Sequence, residues 1–153
     1  MKSNWTAAGV AALALCAAGM GHAQNAKSAD VIRARIERFR EIGTAFKTIN
    51  DELKKPQPLK IMLTTSSSTI RSASREAQPM FPQGTDASAG VKTKAKAEIW
   101  SRRSEFDAKY TRLLMEADKM NLVTKSGDFN AIRVQAKALG AACQDCHRTF
   151  RAE

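Results

Sequence analysis

Residues 140–151 read Gly140-Ala141-Ala142-Cys143-Gln144-Asp145-Cys146-His147-Arg148-Thr149-Phe150-Arg151 and contain the pattern Cys-x-x-Cys-His. Two thiols at this spacing can form thioethers with the two vinyl groups of one porphyrin, and the adjacent imidazole then ligates the iron. Cys143, Cys146 and His147 stand at i, i+3 and i+4, so they share one face of a helix. The pattern predicts one covalently attached haem c, with two thioether cysteines and His147 as the proximal iron ligand.

A Cys-x-x-Cys pair also occurs in dithiol oxidoreductases and in zinc sites. In the oxidoreductases the pair follows a strand and begins a helix, whereas here it closes a long stretch with helical periodicity. A zinc site needs further ligands, and no second Cys or His pair follows at a workable spacing. Both alternatives are therefore disfavoured. Gly140, one turn before Cys143, predicts a place where the porphyrin approaches the helix backbone closely.

Residues 1–23 have the pattern of a cleaved secretory signal peptide. Lys2 precedes an apolar run over residues 7–18, and Gly21-His22-Ala23 places small residues at the two positions that a signal peptidase reads. The apolar run is too short to serve as a membrane anchor. We therefore expect export to the periplasm without a membrane anchor.

Cleavage after Ala23 changes the set of available ligands. It removes Cys16 and His22, which leaves Cys143 and Cys146 as the only thiols and His147 as the only histidine. A second histidine ligand to the iron is then excluded.

Residues 24–153 are long enough for one domain with one core. Loss of Lys2 leaves 24 basic and 15 acidic side chains, a net charge of +9. This charge favours acidic partners, such as an acidic periplasmic redox partner. The basic residues are scattered over helical polar faces without interleaved aromatic residues, so nucleic-acid binding is not expected.

The hydrophobic period is helical almost throughout, and it is interrupted at residues 56–58, 78–90 and 125–128. Three interruptions predict four helices. Asp30 is a candidate N-cap for the first helix and Asp128 for the fourth, and the third is expected to start near Thr93. The second helix, from Pro58 to about Ala77, is the least regular, because residues 64–69 form a run of hydroxyl side chains with mediocre helix propensity.

Strand signals are essentially absent from the sequence. The predicted fold class is all-α: an antiparallel four-helix bundle that holds a covalently attached haem c between facing helices. The residues expected to face its interior are Ile32, Ile36, Phe39, Ile42, Phe46, Ile49 and Leu53 in the first helix; Leu59, Met62, Ile70, Ala73 and Ala77 in the second; Ile99, Phe106, Tyr110, Leu113, Ala117 and Met120 in the third; and Phe129, Ile132, Ala136, Leu139, Cys143, Cys146, His147 and Phe150 in the fourth.

Four groups of residues resemble one known family, the class II c-type cytochromes called cytochromes c′. The haem motif continues into Phe150-Arg151, and three further segments match. These are Arg35, Phe39, Gly43 and Lys47 on the first helix, Phe81-Pro82-x-Gly84-Thr85 in the long loop, and Thr93-x-Ala95-Lys96-x-x-Ile99-Trp100 before the third helix. Together they cover nearly the whole of residues 24–153.

The resemblance assigns roles to residues that the sequence pattern alone treats as core or surface. It implies that Phe39 covers the distal face of the iron, where low-spin relatives carry Met. A phenyl ring has no lone pair, so the iron would be five-coordinate and high-spin, and small neutral gases such as NO and CO would still enter. It also implies that Arg35, and less firmly Thr93, contact a haem propionate, and that two copies form a homodimer through the first two helices.

One alternative stays open, a low-spin electron-transfer cytochrome with a methionine as sixth ligand. The candidates are Met62, Met80, Met115 and Met120, each of which is also a reasonable packing residue. Electron transfer is compatible with either coordination state. An enzymatic role is not expected, because turnover such as peroxidase activity needs a distal acid or base near the iron, and none is evident.

Overall fold

The computed structural model describes the backbone from Gly9 to Glu153 and the side chains from Ala26 onward. Over this range the chain forms five α-helices and one short 3-10 turn, Ala87–Ala89. The helices are α1 (Gly9–Leu53), α2 (Lys60–Ala77), α3 (Glu98–Ser101), α4 (Arg103–Ser126) and α5 (Phe129–Phe150).

The four long helices form a closed bundle, in which α1 packs against α2, α2 against α4, α4 against α5, and α5 against α1. Short connections join α1 to α2 and α4 to α5, so these neighbours run antiparallel. The core is one contiguous cluster to which all four helices contribute. The prediction of an all-α antiparallel four-helix bundle is confirmed.

Helix α1 begins far earlier than predicted, and Asp30 is not its N-cap. The residues before Asp30 are rich in alanine and contain neither glycine nor proline from position 23 onward, so nothing interrupts the helix there. Asp30 instead forms an exposed ion pair with Arg33, one turn later, at 2.9 Å.

The predicted signal peptide, residues 1–23, lies outside the residues whose side chains are described. Its first eight residues lie outside the described backbone as well. No helix in the described part of the chain combines the length and the hydropathy that a membrane span requires.

Helix α2 is regular despite its run of hydroxyl residues, because part of that run is buried against α4. The Ser67 hydroxyl lies 2.9 Å from that of Thr124, and both residues are fully buried. The apolar side of this helix differs from the prediction, since Leu63 is completely buried whereas Leu59 and Met62 are exposed. The hydrogen bond across the helix pair compensates for the poor intrinsic propensity of serine and threonine.

The third helix starts later than predicted, at Glu98 rather than near Thr93, and it is interrupted at Arg102. The backbone of residues 94–96, before this helix, is hydrogen-bonded to the end of α5 instead. The Lys96 amide donates to the Phe150 carbonyl at 3.0 Å, and the Ala152 amide donates to the Lys94 carbonyl at 2.8 Å. This antiparallel bridge ties the end of α5 to the segment that precedes α3.

Helix α5 begins as predicted, because the Asp128 carboxylate accepts hydrogen bonds from the amides of Asn130 and Ala131 at 2.9 and 3.1 Å. The preceding residue, Gly127, has a φ of +78° and ends α4 in the left-handed conformation that favours glycine. A glycine followed by an aspartate therefore makes the reversal between α4 and α5.

The two aspartates allow a matched test of the helix starts. We expect Asp128→Ala to lower the free energy of unfolding by about 1 kcal/mol, because two amides at the start of α5 lose their acceptor. Asp30→Ala removes only an exposed ion pair, so we expect a loss below about 0.5 kcal/mol. Urea denaturation of both variants measures the difference, and equal losses would contradict the assignment of Asp128 as the cap.

Candidate functional site

The last two turns of α5 carry the Cys-x-x-Cys-His pattern, next to the bundle interior. Cys143 and Cys146 are partly buried and pack against the core cluster, and neither forms a disulfide. His147 was expected to face the interior and is instead exposed. It borders an open groove of about 350 Å³ lined also by Gln144, Arg148, Arg151, Ala152 and Glu153.

The chemistry of these three side chains suits covalent haem attachment. Burial raises the pKa of the Cys143 thiol, and burial together with the charge of Cys143 raises the pKa of Cys146 to about 11. The pKa of His147 is lowered because surrounding protein atoms partly desolvate the imidazole, although the residue as a whole is exposed, and because Arg151 carries a positive charge. At neutral pH the site thus presents two S–H groups, which can add to vinyl groups, and a neutral imidazole whose lone pair can ligate iron.

Phe39 lies on α1 and is held edge-on between two aromatic rings from other parts of the chain. Its ring centroid is 6.1 Å from that of Phe81 and 6.5 Å from that of Tyr110, with interplanar angles of 71° and 86°. The Tyr110 hydroxyl donates to the Ser74 carbonyl at 2.8 Å, which fixes the tyrosine to α2. These are favourable edge-to-face arrangements that restrict the orientation of the Phe39 ring.

Tyr110 also connects Phe39 with the haem motif. Burial raises the pKa of its hydroxyl, and the charge of the Cys146 thiolate raises it further. Phe39, Cys143 and Cys146 all pack against the same apolar core cluster. Tyr110 therefore contacts Phe39 and also lies within electrostatic range of Cys146, although more than 100 positions separate Phe39 from Cys146 in the sequence.

Arg35 stands one helical turn before Phe39 and is almost completely buried, with 2% of its surface exposed. Its guanidinium donates to the Met80 carbonyl at 3.0 Å, and to the Thr85 carbonyl and hydroxyl at 2.8 and 3.2 Å. It also donates to the Thr93 hydroxyl at 3.3 Å. Arg35 and Thr93, the two predicted propionate residues, are thus in direct contact.

The buried charge of Arg35 has only neutral hydrogen-bond partners. Burial lowers its pKa to about 10, and the more distant Asp86 partly opposes this shift. In the part of the chain with described side chains, no carboxylate lies within ion-pair distance of it. A desolvated guanidinium of this kind is suited to an added carboxylate. The residues present therefore fit a haem with its propionates.

Three features of the site escaped the sequence analysis. Tyr110 was assigned only to the core, Phe81 only to a matching motif, and the Thr85 contact with Arg35 was not anticipated. The Phe81-Pro82-x-Gly84-Thr85 motif was the available signal, since it contains two of these residues.

Gly140 also differs from expectation. A Cβ at that position would lie 3.1 Å from the Phe46 ring, so the close approach involves α1.

The four methionines considered as ligands lie in different environments. Met120 is completely buried in the core, whereas Met62 and Met115 are exposed. Met80 is half-buried, and its backbone carbonyl accepts a hydrogen bond from Arg35. Of these four methionines, Met80 is therefore the one that forms a hydrogen bond with Arg35.

Comparison with known proteins identifies the family. The family profile described as Cytochrome C' matches residues 30–151. The cytochrome c′ of Pararhodospirillum photometricum is 29% identical over 121 residues, which is 78% of this chain and 94% of that protein.

Solved structures agree with the family profile. The cytochrome c′ of Rubrivivax gelatinosus superposes with a TM-score of 0.76 at 26% identity, covering 82% of this chain and 97% of that one. A cytochrome c′ variant from Alcaligenes xylosoxidans has the same fold, with a TM-score of 0.74 at 20% identity, covering 82% of this chain and 96% of that one. Because the profile spans most of the sequence, from α1 through the haem motif, the chain belongs to the cytochrome c′ family, whose cofactor is haem c.

Proposed function

We propose that this chain is a periplasmic mono-haem cytochrome c′ with a five-coordinate, high-spin iron that binds NO and CO and can transfer electrons. The observation that carries the proposal is Phe39. Its ring has no atom able to ligate iron, and it packs edge-to-face between Phe81 and Tyr110, against the core cluster that Cys143 and Cys146 also contact. Haem c, when bound, would supply an iron that can bind a small gas and change its oxidation state by one electron.

On the proximal side, we assign Cys143 and Cys146 as the thioether residues and His147 as the iron ligand. The lowered pKa of His147 keeps its imidazole neutral and able to donate a lone pair. The bridge between the end of α5 and residues 94–96 holds the last turn of the helix in place. His147 would thus be held in place as the one side chain that we assign to ligate the iron.

On the distal side, Phe39 would exclude water and large ligands while leaving room for a diatomic gas. NO and CO are neutral and need little hydrogen bonding, so an apolar ring does not prevent their binding. One solved structure of this fold, the variant from Alcaligenes xylosoxidans, is a nitric oxide complex. A position occupied by phenylalanine also offers no group that accepts or donates a proton, which favours gas binding over enzymatic turnover.

We assign Arg35 and Thr93 to the haem propionates. Their mutual contact places a buried cation and a hydroxyl at one point, and a propionate there would neutralise the desolvated charge of Arg35. The periplasmic location rests on the signal pattern in residues 1–23, from which we infer secretion without a membrane anchor.

Electron transfer is the second function, and the charge beside His147 favours an acidic partner. Arg148 and Arg151 line the groove that His147 borders. Arg148 pairs with Asp145 at 2.5 Å, and Lys109 pairs with the same carboxylate at 2.7 Å. Two acidic groups, Asp145 and Glu153, thus face three cations, Lys109, Arg148 and Arg151, so this end of the bundle keeps a net positive charge that attracts anionic partners.

We also propose a homodimer formed through α1 and α2. An open groove of about 370 Å³ runs between these helices and is lined by Thr44, Ala45, Thr65 and Thr69, among others. Ile61, with 69% of its surface exposed, precedes Thr65 by four residues and so extends the same face of α2. One solved cytochrome c′ of this fold is described by its ligand-controlled dimer dissociation, which agrees with this proposal.

The test of the coordination state is the absorption spectrum of the haem-loaded protein, oxidised and reduced, with and without CO and NO. We expect high-spin bands in both oxidation states and ready binding of both gases after reduction. Phe39→Met should supply a thioether and shift the spectrum toward low spin. Phe46→Met, on the same helix two turns later, is the matched control and should leave the spectrum unchanged. Low-spin bands in the unaltered protein, insensitive to CO, would instead favour the methionine-ligated alternative.

The test of the dimer compares two equally exposed apolar residues on different helices. Ile61→Glu should shift the sedimentation equilibrium from dimer to monomer, because it places a charge beside the α1–α2 groove. Val134 lies on α5 with 70% of its surface exposed, and Val134→Glu should leave the dimer intact. A monomeric parent protein, or equal dissociation of both variants, would contradict the proposed interface.

The test of the electron-transfer surface uses hexacyanoferrate(III) as an anionic oxidant of the reduced protein. The rate should fall as ionic strength rises, because salt screens exposed charges beyond about 10 Å at 0.1 M. Arg148→Glu should lower the rate at low salt. Lys125→Glu, at the end of α4 furthest from the haem motif, makes the same charge change and should have little effect. Equal effects of the two variants would mean that only the net charge matters.

A further inference from the structure

We propose that Phe81 is a positioning residue for the distal pocket: it holds the Phe39 ring in its covering orientation and thereby sets the rate at which gases reach the iron. This inference rests on the proposed function, in which Phe39 covers the distal face. Phe81 itself is assigned no contact with the iron or with a bound gas. It acts through Phe39.

Phe81 is the centre of an aromatic cluster at the haem end of the bundle, by which we mean the end that carries the Cys-x-x-Cys-His motif. It is 4% exposed, and its ring packs 4.7 Å from Phe106 and 6.1 Å from Tyr110, measured between centroids. The same ring lies 6.1 Å from Phe39, edge-to-face. Because Tyr110 is fixed to the Ser74 carbonyl and also contacts Phe39, the Phe39 ring lies between two supports. Removal of one support gives the ring freedom to turn.

Around Phe81 the loop between α2 and α3 has no regular secondary structure, yet side chains from three helices donate hydrogen bonds to its carbonyl groups. Arg35 donates to Met80, and Arg103 donates to the Phe81 carbonyl at 3.0 Å. The Trp100 indole donates to the Pro82 carbonyl at 2.9 Å. Three consecutive carbonyls are therefore bound, which makes the position of the Phe81 ring well defined.

Arg35 connects this loop with the propionate site. Its guanidinium lies over the Phe81 ring, 4.7 Å from the centroid, within cation–π distance. It also donates to Thr93, its partner in the proposed propionate site. The Arg35 guanidinium thus restrains the Phe81 ring, and the Phe81 ring in turn restrains the Phe39 ring.

The experiment compares Phe81→Leu with Phe106→Leu in the haem-loaded protein. Phe106 belongs to the same cluster and contacts Phe81, Tyr110 and Phe150, but its ring makes no pair with Phe39. The readouts are the CO association rate after flash photolysis and the electron paramagnetic resonance signal of the ferric iron. We expect Phe81→Leu to raise the CO rate by roughly two- to tenfold, the factor that corresponds to the loss of one edge-to-face pair. It should also broaden the high-spin signal.

Phe106→Leu should lower the thermal unfolding midpoint to a similar extent and leave both readouts unchanged. Equal changes in the two variants would overturn the inference, because they would reflect general loosening of the core. Phe39→Val separates the inference from the function on which it rests. If Phe39→Val changes the CO rate and Phe81→Leu does not, the role of Phe81 is wrong. If neither changes it, the distal assignment of Phe39 fails as well.

A milder variant covers the case in which Phe81→Leu does not fold. Arg103→Gln alters a half-exposed side chain and removes its hydrogen bond to the Phe81 carbonyl. We expect a smaller rise in the CO rate in the same direction. An unchanged rate in this variant would overturn the inference.

Discussion

The burial of the Arg35 guanidinium is the constraint on which the haem end of the bundle depends. A charged group removed from water costs several kcal/mol unless its donors are satisfied. Here the guanidinium donates hydrogen bonds to the carbonyls of Met80 and Thr85 and to the hydroxyls of Thr85 and Thr93. The long connection between α2 and α3 must therefore fold back over α1. One side chain thus orders a segment that has little secondary structure of its own.

A second constraint acts on the end of α5. The helix begins at the Asp128 cap and ends in a bridge, in which Ala95 pairs with Arg151. The haem motif lies in the last two turns, which would otherwise be the part of a helix most prone to fray. The bridge also places Thr93 next to Arg35, so the segment that steadies the haem motif contributes to the proposed propionate site. Residues 93–96 thus both stabilise the end of α5 and contribute to the proposed propionate site.

The aromatic residues near the haem motif form a buried cluster with Phe39 at its edge. Phe81, Phe106, Tyr110 and Phe150 form a continuous set of edge-to-face and tilted pairs that belongs to the core. Phe39 contacts this set at Phe81 and Tyr110, and it is less buried than they are. A closely packed cluster with one half-buried ring at its edge agrees with the proposal that Phe39 controls access to the iron, because close packing restricts the inner rings more than the outer one.

The sequence by itself determined the four long helices, the cap at Asp128 and the cofactor, because helical periodicity, capping and the Cys-x-x-Cys-His pattern depend on residues close together in the chain. It placed the start of α1 wrongly at Asp30 and that of the third helix wrongly near Thr93. In the first case the alanine-rich residues before Asp30 continue the helix, although Asp30 is a good capping residue. In the second, a pairing with residues 150–152 takes up the backbone donors and acceptors. Only the tertiary structure decided that Arg35 meets Thr93 and that Phe39 lies between Phe81 and Tyr110. Those contacts join segments that are tens of residues apart, and no local propensity or spacing specifies which of many buried side chains will meet.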